Sequence, residues 1–183
     1  MINYVIGDLF ENIPITDPTI KVIIPHICND IGAWGKGFVV PLGRKFPDAK
    51  ERYISWYKDT IPDRLAFQLG KTQSVIVGDV VVMNMIAQEG VRRQGYTTPI
   101  RYAKLVECMN YVAEACSYYQ NKICFPNIEK VQIHAPKFGS GLAGGNWEFI
   151  EVLIKEIWKN VDVWIYELDP PKEKSVGFPD DLF

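Results

Sequence analysis

The chain is poor in the residues that build metal centres and disulfide frameworks. Its 183 residues hold two histidines and four cysteines, and none of Cys28, Cys108, Cys116 and Cys124 falls in a C-x-x-C pair. A structural zinc site is therefore not expected. Buried, reduced thiols of a cytoplasmic protein are the expectation instead. No apolar run reaches the length of a membrane span, and the opening MINYVIGDLF has neither a basic n-region nor a small-residue cleavage site. Neither sign of charge dominates. The net charge is -2 with Lys, Arg, Asp and Glu mixed throughout, which leaves no basic stripe for duplex nucleic acid and no charged tail block. Internal repeats and low-complexity linkers are also missing. What is present is 48% hydrophobic residues in a length that suits one globular domain with a single sizeable core.

The most informative stretch is Val131–Trp158, VQIHAPKFGSGLAGGNWEFIEVLIKEIW. An apolar run ends at Pro136, a glycine-rich loop spans Gly139–Gly145, and an amphipathic segment opens at Asn146. In that segment Ile150, Leu153, Ile154, Ile157 and Trp158 share one helical face, while Glu148, Glu151, Lys155 and Lys159 share the other. Asn146 is a good N-cap, and Glu148 sits in the first turn where the helix dipole favours it. Strand, glycine loop and helix start together make a phosphate-binding geometry. Glycines admit an anion close to the backbone, and the helix start supplies unpaired N–H donors.

Earlier in the chain, Ile2–Ile6 reads as a strand leading into Gly7-Asp8, and residues 11–19 read as loop. Lys21–Cys28 is a nearly continuous apolar run, as in a central strand buried on both faces, with Pro25 expected to stop its pairing. Helices are expected over Phe38–Phe46 and from Pro47 to Lys58. Leu69–Val75 and Val80–Ile86 read as strands turning at Gly78-Asp79, and residues 88–98 as an exposed polar loop. Pro99 is expected to open a helix to about Tyr119, with Tyr102, Leu105, Met109, Val112, Cys116 and Tyr119 on its inner stripe. Val161–Leu168 is a last strand, and residues 169–183 are expected to form an extended or partly ordered tail. The alternation implies an α/β class with helices on both faces of a mixed sheet, over residues 1–168.

Three stretches are candidates for chemistry. Gly139-Ser140-Gly141-Leu142-Ala143-Gly144 matches G-x-G-x-x-G between a strand and a helix, and Glu167 stands near the spacing of a ribose-binding acid. Against a dinucleotide fold, only one helix and one strand remain after it; against a P-loop, no Gly-Lys-Ser/Thr occurs. The second stretch, Asn29 to Gly37, is another glycine loop after another strand. Two such loops at one carboxyl edge suit an elongated ligand with a diphosphate in its middle. Between them Trp34 is placed to pack on a sugar or base, or to serve as a core or rim aromatic, and Lys36 to meet a phosphate or only solvent. The third is Gly7-Asp8, where the carboxylate can accept from an exocyclic amine or simply cap a turn.

Three segments, VIGDLF, HICNDIGAWGKGFVVPLGRKFP and APKFGSGLAGGNWE with the closing VWIYEL, make residues 1–168 resemble a macro domain, the ADP-ribose-binding module. The likeness is greatest to the branch containing yeast-type ADP-ribose 1''-phosphate phosphatase and terminal ADP-ribose protein glycohydrolase. The resemblance implies a three-layer α/β/α fold around a mixed central sheet. It implies that Asp8, with Gly7 and the Leu9 backbone, holds the adenine amine. Asn29 and the loop Trp34, Gly35, Lys36, Gly37 and Phe38 would surround the distal ribose. Gly139, Ser140, Gly141, Leu142, Ala143 and Gly144 would wrap the diphosphate.

His26 matches a histidine of the phosphatase-type motif, and would serve as general acid or phosphate donor, unless it is a core histidine as His134 is expected to be. The lysine and aspartate of the glycohydrolase branch fall on Gln88 and Ala143, so that mechanism would need a substitute, for which Glu89 is the nearby acid. The expected function is hydrolysis of ADP-ribose 1''-phosphate by water, without metal or other cofactor and hence insensitive to EDTA. His26, Asn29 and Ser140 would form the catalytic set, and Arg92 and Arg93 would offset phosphate charge or stay solvated. The alternatives are a non-catalytic reader of ADP-ribose, free or on a macromolecule, a hydrolase of ADP-ribosyl or O-acyl-ADP-ribose esters, and a nicotinamide-dinucleotide enzyme.

Overall fold

The computed structural model describes residues 1–58, 66–91 and 98–168. Arg92, Arg93 and the expected tail 169–183 lie outside the described residues. In chain order the elements are β1 (Ile2–Ile6), α1 (Leu9–Asn12), β2 (Ile20–Asn29), α2 (Val39–Lys45), α3 (Pro47–Tyr57), β3 (Thr72–Val77), β4 (Val80–Gln88), α4 (Tyr102–Tyr119), β5 (Lys130–Pro136), α5 (Trp147–Ile157) and β6 (Asp162–Glu167).

The strands form one six-stranded sheet in the order β1-β6-β5-β2-β4-β3. Every neighbouring pair is parallel except the β3–β4 hairpin, which turns at Gly78-Asp79. The period-two alternation of strands sorts the core into two layers. On one face Ile23, Met83, Met85, Ile133 and Ile165 pack with Leu105 and Met109 of α4 and Ile150 and Ile154 of α5. On the other, Val22, Ile24 and Val82 pack with Leu9 of α1, Leu42 of α2 and Ala49 of α3. The result is the expected α/β/α arrangement.

Four local expectations need correction. Pro25 does not end the pairing of β2. It lies opposite Met83, and the β4 side continues to Asn29↔Gln88; only the β5 side stops, at Ile23↔Ile133. Since Pro offers no N–H, it is tolerated where one neighbour has already been left. The long helix begins at Tyr102 rather than Pro99, because Ile100 is held in an antiparallel bridge with Gln88. Residues 9–12 make one helical turn where loop was expected to begin. Of the four thiols, Cys28, Cys108 and Cys116 are buried but Cys124 is exposed.

Candidate functional site

The site follows from the β2–β5 pairing. Both strands run on beyond their last paired residues, Ile23 and Ile133, so their carboxyl halves part. The chain then leaves β2 through α2 and α3 on one face and leaves β5 through α5 on the other. This is a topological switch point, where open α/β sheets leave a crevice outside the strand ends. A cavity of about 620 Å³ occupies it, within the range of small-molecule sites. His26, Asn29, Gly35, Lys36, Gly37 and Phe38 line it from the β2 side; Gly139, Gly141, Leu142 and Ala143 line it from the β5 side. The two glycine loops therefore share one cavity, which Gln88 of β4 also lines. Ser140, Gly144 and Trp34 belong to these loops without lining the cavity wall.

The first loop is built by Asn29. Its Oδ1 accepts from the N–H groups of Ile31 and Ala33 (3.1 and 2.9 Å), and its Nδ2 donates to the Ala33 carbonyl at 2.6 Å. The amide is thus largely spent on shaping the turn. Tyr53 of α3, fully buried, braces the same point by donating its hydroxyl proton to the Asn29 carbonyl at 2.5 Å. Tyr57, one turn on, presses its ring against Gly32, where an added Cβ would lie 2.3 Å from a ring carbon. Trp34 packs edge-on to His26 and tilted on Tyr53, with ring centroids 5.5 and 5.3 Å apart, and lies half-buried against the core layer that holds Leu42. Beyond the turn, the N–H groups of residues 34–38 have no acceptor among the described residues.

Removing the Tyr53 hydroxyl tests this brace. Tyr53→Phe keeps the ring contacts and leaves a buried carbonyl without its donor, so we expect a loss of about 1–2 kcal/mol in chemical denaturation.

The second loop is closed on itself. Gly145 N–H donates to the Gly139 carbonyl at 2.7 Å, and Gly144 N–H to the Gly141 carbonyl at 3.0 Å. Gly139 and Gly144 have φ of +80° and +69°, values that L side chains rarely adopt. Asn146 caps α5 by accepting from Phe149 N–H at 3.0 Å, and the Ala143 carbonyl accepts from Ile100. That leaves the N–H groups of residues 140–143 without acceptors among the described residues. Leu142 reaches across to the first loop: a Cβ on Gly37 would lie 3.3 Å from its Cδ1. Ser140 Oγ makes only a long contact, 3.4 Å, to the Lys137 carbonyl.

Gly7, Asp8 and Leu9 follow β1 at the same carboxyl edge but do not line the cavity wall. One Asp8 oxygen accepts from Phe10 N–H at 2.8 Å, so this carboxylate does cap its turn. Phe10 stacks on Phe38 with ring centroids 5.5 Å apart, which ties the Asp8 turn to the cavity rim. Sequence reasoning missed Tyr53, Cys28, Lys137 and Phe138. The last three line the cavity, and the apolar or strand-end positions they occupy carry no local signal. Glu89 is engaged by Arg101 in an exposed ion pair, so it is not a free acid.

His26 is buried, and its Nε2 lies 2.6 Å from Asn84 Oδ1. Burial pushes its pKa down to about 4, against a partial upward effect of the Asn84 bond. His134 is likewise core, between Tyr166 and Gln132, and burial brings it to about 4. Both are neutral at pH 7, so neither is a cationic phosphate donor.

Between the ordinary imidazole value of 6.5 and about 4, the unfolded chain binds protons that the folded chain does not. The stabilisation is complete above pH 6.5 and is lost as pH falls to about 4, at about 3 kcal/mol for each ring. Denaturant titrations across that window should flatten in His26→Gln and His134→Gln.

No protein-family model matches the chain. Among curated proteins, it is 40% identical over 182 residues to an ADP-ribose 1''-phosphate phosphatase of Debaryomyces hansenii, covering 92% of this chain and all of that protein. A Candida albicans protein of the same name is 26% identical, covering 85% of this chain and 93% of that one. Among solved structures, a macrodomain protein from Streptomyces coelicolor superposes with a TM-score of 0.68 at 32% identity, covering 91% of this chain and 99% of that one.

Proposed function

The chain belongs to the macro domain family, and from that membership we propose that its cavity binds ADP-ribose and hydrolyses ADP-ribose 1''-phosphate to ADP-ribose and phosphate. The observation that carries the reading is the pair of loops whose N–H groups lack acceptors among the described residues, with residues 35–38 lining one side of the cavity and 141–143 the other. Backbone donors without partners in the fold suit a diphosphate. The relatives named as ADP-ribose 1''-phosphate phosphatases support the same chemistry.

In this reading Asp8 offers its remaining carboxylate oxygen to the adenine amine, beside Gly7 and the Leu9 backbone. Residues 35–38 meet the diphosphate and surround the distal ribose beyond it, with Asn29 shaping their turn, and residues 139–144 wrap the diphosphate from the other side. Water attacks the terminal phosphorus. Its oxygen forms the new P–O bond, the bond from phosphorus to the sugar oxygen breaks, and the departing oxygen takes up the proton that the water gives up. Ser140 and the exposed Lys36 are the polar groups closest in sequence to the free donors. Gln88 and Ala143 both line the cavity and neither supplies a nucleophile or an acid, so the glycohydrolase route is not proposed.

The alternative is a non-catalytic reader of ADP-ribose, free or on a macromolecule. The neutral, buried His26 favours it, since that ring brings no acid to the cavity. Among the described residues no helix is long and apolar enough to cross a membrane, and the free buried thiols suit a cytoplasmic site of action. Phosphate release from ADP-ribose 1''-phosphate, measured beside calorimetry with ADP-ribose and NAD, tests the proposal. Binding of ADP-ribose with release of phosphate is the expected result. ADP-ribose binding without release identifies a reader, and preference for NAD overturns both.

A further inference from the structure

A chain of buried polar side chains runs from the cavity through the sheet to α3, and its polarity is dictated at the far end. Gln73 Nε2 donates to the Arg52 carbonyl at 3.2 Å, which leaves Gln73 Oε1 as an acceptor. Asn84 Nδ2 donates to that oxygen and to the Ala49 carbonyl, both at 3.1 Å. Carbonyls can only accept, so neither amide can be turned round without setting oxygen against oxygen. Asn84 Oδ1 must therefore face His26, and the ring nitrogen 2.6 Å away must carry the proton. Asn84 is fully buried and Gln73 nearly so, where an unmatched polar atom is most costly.

We infer that Asn84 is a positioning residue that locks His26 in the tautomer protonated on Nε2, leaving Nδ1 as a hydrogen-bond acceptor at the cavity floor. The Cys28 thiol lies beside the ring, with Sγ 3.7 Å from Nδ1 and 3.9 Å from Nε2, weak and long contacts that a better donor to Nδ1 displaces. Both His26 and Cys28 line the cavity. The donor suited to Nδ1 is a hydroxyl: a sugar hydroxyl of the ligand or the water held beside it. The role is the reverse of the general acid expected from the motif, because the only ring proton is committed to Asn84. The identity of the ligand rests on the function proposed above; the tautomer does not.

The test uses the full chain labelled with 15N-histidine. With only two histidines, long-range 1H–15N spectra resolve both rings, and His134→Gln assigns them. The expected result for His26 is a protonated Nε2 and a bare Nδ1 at pH 7, with only the Nδ1 resonance moving on saturation with ADP-ribose. Asn84→Leu should release the lock, giving a mixture of both tautomers and at least a tenfold weaker affinity for ADP-ribose. A proton on Nδ1 in the wild-type protein overturns the inference, whether or not the variant folds. So does an Nδ1 signal that ignores bound ADP-ribose. If ADP-ribose does not bind while Nε2 keeps its proton, the functional reading fails and the lock stands.

Discussion

Gly141→Glu is expected to weaken ADP-ribose binding at least about a hundredfold, or ~2.7 kcal/mol, with the melting temperature nearly unchanged. The reason is local. A Cβ on Gly141 meets nothing within 4 Å, and its φ is not among the left-handed values that favour glycine, so the fold tolerates a side chain there. That side chain enters the cavity beside the unpaired N–H groups of residues 140–143. A carboxylate in that place takes the donors meant for the diphosphate and repels the rest of the anion. Gly141→Ala adds only a methyl group and should bind within a fewfold of wild type. Calorimetry on the two variants, each matched with a thermal melt, separates the charge from the bulk. Normal binding by the glutamate variant would mean that this loop does not hold the ligand.

Two positions earlier the same change in size has the opposite signature. Gly139→Ala should destabilise the fold by about 2–4 kcal/mol, from strain at positive φ and from overpacking together. At φ +80° an added Cβ would lie 2.7 Å from Ile150 Cδ1 and 3.0 Å from Ile100 Cδ1. Ile150 is fully buried and Ile100 nearly so, which leaves little room to yield. The Gly139 carbonyl also receives the Gly145 N–H that closes the loop, so the strain spreads to the anion donors. Urea denaturation checks the magnitude, and an unchanged midpoint would count against the described loop geometry. Gly139 thus serves the backbone and Gly141 serves the cavity, although both satisfy one motif.

That contrast also marks how far local sequence pattern reaches. Periodicity locates α5 and its Asn146 cap because burial and capping act within a few residues. The run Lys21–Cys28 locates β2 for the same reason. The two glycine loops are legible as loops, and their convergence follows once both strands are placed in one sheet. The opposite roles of Gly139 and Gly141 are not legible, since they depend on Ile100 and Ile150 from other elements. Tyr53 is invisible for a similar reason: its hydroxyl meets a carbonyl 24 residues away. The macro domain resemblance correctly indicates the family, and Asn29 and His26, which it carries as site residues, both line the cavity, but the hydrogen bonds that occupy them are not legible in the motif. The structure spends the Asn29 amide on its own turn and the His26 proton on Asn84. Pro25 misleads for a physical reason: a missing N–H matters only on the side where a partner strand still runs, and there β5 has already turned away.

The most direct measurement is a crystal structure of the chain with ADP-ribose bound. The account predicts diphosphate oxygens within about 3 Å of N–H groups from both residues 35–38 and residues 140–143, in the cavity between β2 and β5. A nucleotide seated elsewhere, or a diphosphate touching one of these loops and leaving the other's amides in water, would contradict it.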